Sequence, residues 1–328
     1  MSAITASKAA TTPKSTTAPK TTTVSEKTDI ATERIIRNGM FAYGGWLYET
    51  ESDYNDGSKP SSIVRTRIEN GAEIREVILT GGVADKTYKL SVSGDLLYFY
   101  TIDNNRSEIY CIGTDGTNLK KIRDVHGFFT VMRVFDNYIY YTVFDAADEC
   151  DDYDVSQLGL FRIPVDGTGE PQKITGSGYF QGHNGGYESD VTEVAVDGEW
   201  VYFSKYFRGI YRIRVDGTEL ELIFDKYEMV TGLHIVGEQF IFAGRFYDEE
   251  GKILHEKDGG IFLLNKDGTA KTVLAEVDYP WFGGRGAFYD IAIDDGWIYC
   301  YNFPEHKREG CRRMRLDGSE NALIFVTP

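Results

Sequence analysis

The sequence predicts an all-β chain folded as a six-bladed β-propeller with four-stranded antiparallel blades. Three observations carry this prediction. An Asp-Gly turn follows a strand of alternating apolar character five times, at Asp115, Asp166, Asp216, Asp267 and Asp317, in steps of 51, 50, 51 and 50 residues. An aromatic-rich strand lies upstream of each turn: LLYFY (96–100), YIYYT (138–142), WVYFS (200–204), FIFAG (240–244) and WIYCY (297–301), with a sixth copy at WLYE (46–49). Between Val191 and Phe224 the complete unit is legible as Thr192–Val196, Trp200–Phe203, Gly209–Arg214 and Leu220–Phe224, separated by turns at Asp197-Gly198 and Asp216-Gly217. Strands joined by Asp-Gly pairs are a strong hairpin signal. Four such strands repeated at a fixed period mark the blades of a propeller, whose two apolar faces only neighbouring blades can cover.

In chain order, blade one spans 38–80, with strands near Met40–Tyr43, Trp46–Glu49, Ile63–Ile68 and Glu73–Leu79 and a degenerate turn at Asn70-Gly71. Blade two (81–124) is compact. Blade three (125–176) carries an acidic loop, Asp145–Gln157. Blade four (177–226) opens on SGYFQGHNGGYESD, and blade five (227–275) contains FYDEEGKILHEKDGG. Blade six (276–328) opens on VDYPWFGGRGAFYD. Ile35 and Ile36 are candidates for an extra strand at the ring closure. The first-to-second turns are short throughout: Gly44-Gly45, Gly94-Asp95, Asp136-Asn137, Asp197-Gly198, Val236-Gly237 and Asp295-Gly296. Every long insertion falls between second and third strands or between blades, which share the opposite end of the ring. Insertions gathered on one face mark a binding face.

Composition narrows the function classes. Aromatic content is 14%, as strands favour, and the net charge is −16. The tail before Ile30 has four lysines and two acids, so the folded part is more acidic still. Such a surface repels phosphate backbones, and nucleic acid is excluded as a partner. No apolar run is long enough for membrane insertion, and a monomer is expected. Residues 1–37 read as a disordered Thr/Lys/Ala/Pro-rich linker or stalk, without the apolar core of a signal peptide. A stalk of this kind suits an extracellular or cell-surface domain whose signal sequence is not in this chain, with the cytoplasm as the alternative. Of the four cysteines, Cys300 and Cys311 lie on the two arms of one hairpin, either as a disulfide or as two packed thiols; Cys111 and Cys150 have no evident mates.

The stretch EVAVDGEWVYFSKYFRGIYRIRVDGTELELIF, with its Trp-x-Tyr strand and Asp-Gly-Thr turn, resembles the YWTD-type propeller of the low-density lipoprotein receptor family. It is also similar to the bacterial domain of unknown function named after that receptor-related propeller. The resemblance covers about 38–328 and implies an exported, ligand- or wall-associated module. It carries no catalytic residue, and Trp200-Val201-Tyr202-Phe203 stands where the receptor motif has Tyr-Trp-Thr-Asp.

Candidate chemistry lies mostly in the insertions. Trp46, Trp200 and Trp297 share one repeat position and are structural; Trp281 does not. It is grouped with Tyr279, Phe282 and Arg285, while Tyr179, His183, Asn184 and Tyr187 lie on another long approach. Exposed rings stack on sugars or peptides, and Arg or Asn hydrogen bonds orient them; the alternative is that these rings pack beneath long loops. His126, His183, His255 and His306 lack ligand spacing and read as solvated. The acids Asp145, Asp148, Glu149, Asp151, Asp152 and Asp154 could hold Ca²⁺ but lack the spacing of a calcium loop, so no cofactor is expected. Phe161-Arg162-Ile163-Pro164 spells a sialidase motif without its companion box, and Arg162 aligns with Arg212 of the next repeat. No nucleophilic triad stands out. The sequence therefore points to a recognition module binding a glycan or peptide on the insertion face. A glycoside hydrolase or polysaccharide lyase on the same face, or a scaffold without a ligand, are the alternatives.

Overall fold

The computed structural model describes residues 35–53, 59–103, 106–144, 159–175, 191–205, 208–225, 227–246, 259–277, 291–302 and 310–325. Residues 33–328 form one compact unit, and within it the described strands assemble into six four-stranded antiparallel sheets.

Each sheet uses four consecutive strands. Blade one is β1 (Ile35–Tyr43), β2 (Trp46–Asp53), β3 (Ser62–Glu69) and β4 (Ala72–Thr80). Blade two is β5 (Thr87–Ser93), β6 (Leu96–Asp103), β7 (Arg106–Gly113) and β8 (Lys120–His126). Blade three is β9 (Phe128–Phe135), β10 (Tyr138–Phe144), β11 (Gly159–Pro164) and β12 (Gln172–Lys173). Blade four is β13 (Val191–Asp197), β14 (Trp200–Lys205), β15 (Gly209–Arg214) and β16 (Glu221–Phe224). Blade five is β17 (Tyr227–Val236), β18 (Gln239–Phe246), β19 (Gly259–Asn265) and β20 (Thr272–Val277). Blade six is β21 (Ile291–Asp294), β22 (Trp297–Asn302), β23 (Gly310–Arg315) and β24 (Ala322–Phe325). The innermost strands β1, β5, β9, β13, β17 and β21 neighbour one another in that order, and β21 meets β1. The ring is closed, and no blade borrows a strand from another.

Several boundaries differ from the sequence reading: the expected linker 1–37 gives up residues 35–37 to blade one, β2 runs on to Asp53, and β8 and β20 extend two residues beyond the expected ends of blades two and five. Ile35 and Ile36 do not add a strand at the closure; they lengthen β1, opposite Asp53 and Ser52 of β2. The turns of blades four and five are Gly198-Glu199 and Gly237-Glu238, one residue later than expected. Asp197 pairs with Trp200 and Val236 with Gln239, because the glycines take the positive φ that a two-residue turn needs first.

The core lies between blades. Tyr140, Phe99, Phe203, Phe240 and Phe242 are fully buried, each in a cluster shared by neighbouring sheets. The Asp-Gly-Thr turns add a second contact. In four of them the aspartate Oδ1 accepts from the amide and hydroxyl of the threonine two residues on, for example Asp216 with Thr218 at 3.0 and 2.7 Å. The glycine of each turn then lies over the outermost strand of the preceding blade. A Cβ on Gly116, Gly167, Gly217, Gly268 or Gly318 would come within 3.0 Å of the carbonyl oxygen of Ile78, Ile122, Ile174, Ile223 or Leu274, respectively. Ile78, Ile122, Ile223 and Leu274 are each a bulge residue, skipped in the register of the outer strand. The bulge turns an aliphatic side chain into the junction and offers its carbonyl to the next turn.

Cys111, Cys300 and Cys311 are buried free thiols. Cys300 pairs with Arg312 and Cys311 with Tyr301, so alternation along the strands sends the two sulfurs to opposite faces of the sheet. Cys300 belongs to the core between blades five and six, and Cys311 to that between six and one. Cys150 lies outside the described residues.

Candidate functional site

Strand alternation sorts the connections by end. All short hairpin turns gather at one end of the ring; the second-to-third and blade-to-blade connections gather at the other. The expected ligand residues Tyr179, His183, Asn184, Tyr187, Tyr279, Trp281, Phe282 and Arg285 all belong to blade-to-blade connections and lie outside the described residues, as do the acids of the 145–158 loop.

The tryptophans at the turn end are occupied by their own blades. Arg65 and Arg67 each place a guanidinium 4.4 Å from the Trp46 ring centre, and Arg212 and Arg214 do the same at Trp200. Arg313 and Arg315 stand 4.2 and 3.7 Å from Trp297. Register explains the pattern, since Trp200 lies opposite Arg214 and Tyr202 opposite Arg212. Arg162 follows the same rule: it stacks on Tyr138 at 4.7 Å and donates from Nε to Gln172 at 2.8 Å. The repeat thus accounts for the Phe-Arg-Ile-Pro stretch without a catalytic role.

The chemistry the sequence reading missed is on the axis. Four consecutive innermost strands each contribute one polar group: Lys89 from β5, Arg133 from β9, Glu193 from β13 and His234 from β17. Arg133 Nη2 donates to Glu193 Oε2 at 2.7 Å, and Lys89 Nζ reaches Glu193 Oε1 at 3.3 Å. Blades two and four are not neighbours, so the Lys89 contact spans the ring interior. His234 Nε2 donates to the carbonyl of Ile291 on blade six at 2.9 Å.

Bulges aim these groups. The β1–β2, β5–β6, β9–β10, β13–β14 and β17–β18 ladders all break register in mid-strand. The extra residues include Tyr88 and Lys89 in β5, and Gly232 and Leu233 in β17. A bulge re-aims side chains and leaves backbone groups unpaired by the ladder. The Gly232 N–H indeed turns to the Glu193 carboxylate. Gly232 has φ +58°, and a Cβ there would stand 2.7 Å from the backbone nitrogen of Ile291, so only glycine fits.

Charge balance follows from this geometry. Burial alone would push the Glu193 carboxyl up, but Arg133, Lys89 and the Gly232 N–H outweigh it and hold the group below its ordinary range. Burial pushes the His234 imidazole down to about 4, with Arg133 and Lys89 acting in the same direction. Near neutral pH the axis therefore holds a fixed carboxylate, two cations and a neutral histidine. A carboxylate kept ionised cannot act as a general acid, and among the described residues the cluster has no second carboxylate to pair with it. Its chemistry is a tie between blades two to five. Among the described residues no group of three or more His, Cys, Asp or Glu is placed to hold a metal ion. Nearer the loop end of β5, Tyr88 is 49% exposed and stacks on Tyr100 at 5.9 Å.

No protein-family model matches the chain, and no curated protein matches it in sequence. Solved structures do. The chain is similar to a nidogen/laminin complex (15% identity, TM-score 0.54, covering 80% of this chain and 89% of that one). It is also similar to a putative TolB from Agrobacterium tumefaciens (18%, TM-score 0.52, covering 74% and 82%). A third is the propeller domain of the Trilobed protease from Pyrococcus furiosus, described as having an open velcro topology (11%, TM-score 0.51, covering 90% and 97%). At these identities the likeness establishes the propeller fold and not an activity.

Proposed function

We propose that the chain is a YWTD-type recognition module of an extracellular or surface-bound protein, binding a glycan or peptide at the loop end of its ring. The observation that carries this reading is the division of labour between the two ends. At the turn end, five glycine turns press on preceding blades and the tryptophans are covered by arginines, so little there is left to vary. The other end receives every long connection. The aromatic and polar residues Tyr279, Trp281, Phe282, Arg285, Tyr179, His183, Asn184 and Tyr187 belong to that end by topology. A ring of this kind occurs in a complex of nidogen with laminin, which supports a binding role over chemistry.

The test is a glycan and polysaccharide array probed with the full chain and with Trp281→Ala. Binding by the wild type that falls at least tenfold in the variant supports the reading. Binding unchanged by the substitution moves the site away from Trp281. Turnover of a bound polysaccharide would replace the module with an enzyme, and silence on every sugar would overturn the glycan half in favour of a peptide ligand.

A further inference from the structure

Five of the six blade junctions are built alike, and the sixth, between blades six and one, is not. The Asn70-Gly71 turn of blade one sits on a hairpin two residues longer than its counterpart in blade four. Arg65 pairs with Glu76 across eleven positions, where Arg212 pairs with Glu221 across nine. A Cβ on Gly71 would meet nothing within 4 Å, in contrast to the five glycines that lie over the preceding bulge carbonyl.

Three further observations fall at the same junction. Its core comprises Met40, Ala42, Leu47, Ala292 and Cys311, five buried residues where the other junctions have seven to eleven among the described residues. Two of the five are alanines, and Ile68, Tyr299 and Ile324 are partly buried against them. The hydroxyl of Thr66 is buried without a hydrogen-bond partner. Thr66 pairs with Leu47 and so shares the face that Leu47 presents to this junction. Finally, the axial side chains Lys89, Arg133, Glu193 and His234 come from blades two to five. A polar contact across the seam among the described residues is the Gly45 N–H donating to Asp294 Oδ2 at 2.6 Å, exposed to solvent.

We propose that the ring has a built-in seam: blades two to five form a rigid arc, and the ring opens locally between blades six and one. No shared strand resists this separation, and among the described residues the turn contact and the buried core are both reduced here, while the outer-strand bulge is kept at Ile324. Opening parts β1 from β21 and widens the axis on that side while the charged tie stays intact. The inference does not depend on what binds at the loop end.

Hydrogen exchange of the full chain, followed by mass spectrometry over a range of low denaturant concentrations, tests it. Amides of β1 and β21–β23 should exchange through one shared sub-global opening, about tenfold or more faster than those of β9, β10, β13 and β14. Thr66→Val removes the unpaired hydroxyl with little change of shape and should slow the seam amides about fivefold, leaving the arc unchanged. Uniform exchange in all six blades, a first opening at another junction, or slowing by Thr66→Val that is absent or equal everywhere would each overturn the proposal.

Discussion

Single side chains carry unequal weight in this ring, and Glu193 carries the most that can be argued from contacts. Its carboxylate answers Arg133, Lys89 and a backbone N–H from blade five. Removing one partner of a buried ion pair leaves the other charge uncompensated, which costs more than the pair itself contributes. Glu193→Ala is expected to destabilise the fold by about 3–5 kcal/mol, measured by urea unfolding, with Glu193→Gln costing less because Arg133 keeps an acceptor. His234 gives a second prediction. Its folded pKa, about 4, lies below the ordinary 6.5, so protonation favours the unfolded chain. Its contribution is complete above pH 6.5 and is lost as pH falls from 6.5 towards 4, up to about 3 kcal/mol. A melting temperature that is flat above pH 7 and falls through that window, with His234→Gln flattening the fall, is the expected result. Glu193, also depressed, loses its contribution only at more acid pH.

At the scale of elements, the Asp-Gly-Thr turn and the outer-strand bulge act as one device repeated around the ring. The aspartate shapes the turn by accepting two hydrogen bonds, the glycine allows its left-handed backbone, and the bulge of the preceding blade presents a carbonyl to it. Gly217→Ala must bear a φ of +88° and a Cβ 2.7 Å from the oxygen of Ile174. Gly71→Ala bears a φ of +78° in open space. The left-handed strain is common to both, about 1–2 kcal/mol, while the clash adds about 1–3 kcal/mol at Gly217 alone. Urea unfolding of the two variants should therefore separate them by about 2 kcal/mol, and equal losses would show that the turns do not bear on the preceding blades.

At the scale of the whole molecule, two unlike arrangements share one ring. Around the rim the repeat is close to uniform, and it provides five nearly equivalent junctions. On the axis and at the seam uniformity ends: a charged tie holds blades two to five, His234 reaches on to the Ile291 carbonyl of blade six, and blades six and one meet over a small core among the described residues. A closed ring with no exchanged strand must place its chain ends at one junction, and here that junction is the least reinforced of the six among the described residues.

The blades were legible in the sequence because period-2 alternation and Asp-Gly turns are local signals. Each blade repeats them about every fifty residues, so the turns needed shifts of only one residue in two blades, while strand ends away from the turns moved by up to five residues, as at Ile35 of β1. The even spacing also settled which end would receive the long connections, since alternation alone decides that. The axial cluster was present in the text as one charged residue or histidine within each of four first strands: Lys89 in TYKLSVS, Arg133 in FFTVMRVF, Glu193 in VTEVAV and His234 in TGLHIV. Nothing local joins them, because their meeting depends on ring closure and on bulges that turn particular side chains inward. The seam was hinted at by Asn70-Gly71 in place of Asp-Gly, yet its weakness depends on which residues face it across the closure. Repetition along a chain determines strands and blades; contacts between distant blades are set only when the ring has closed.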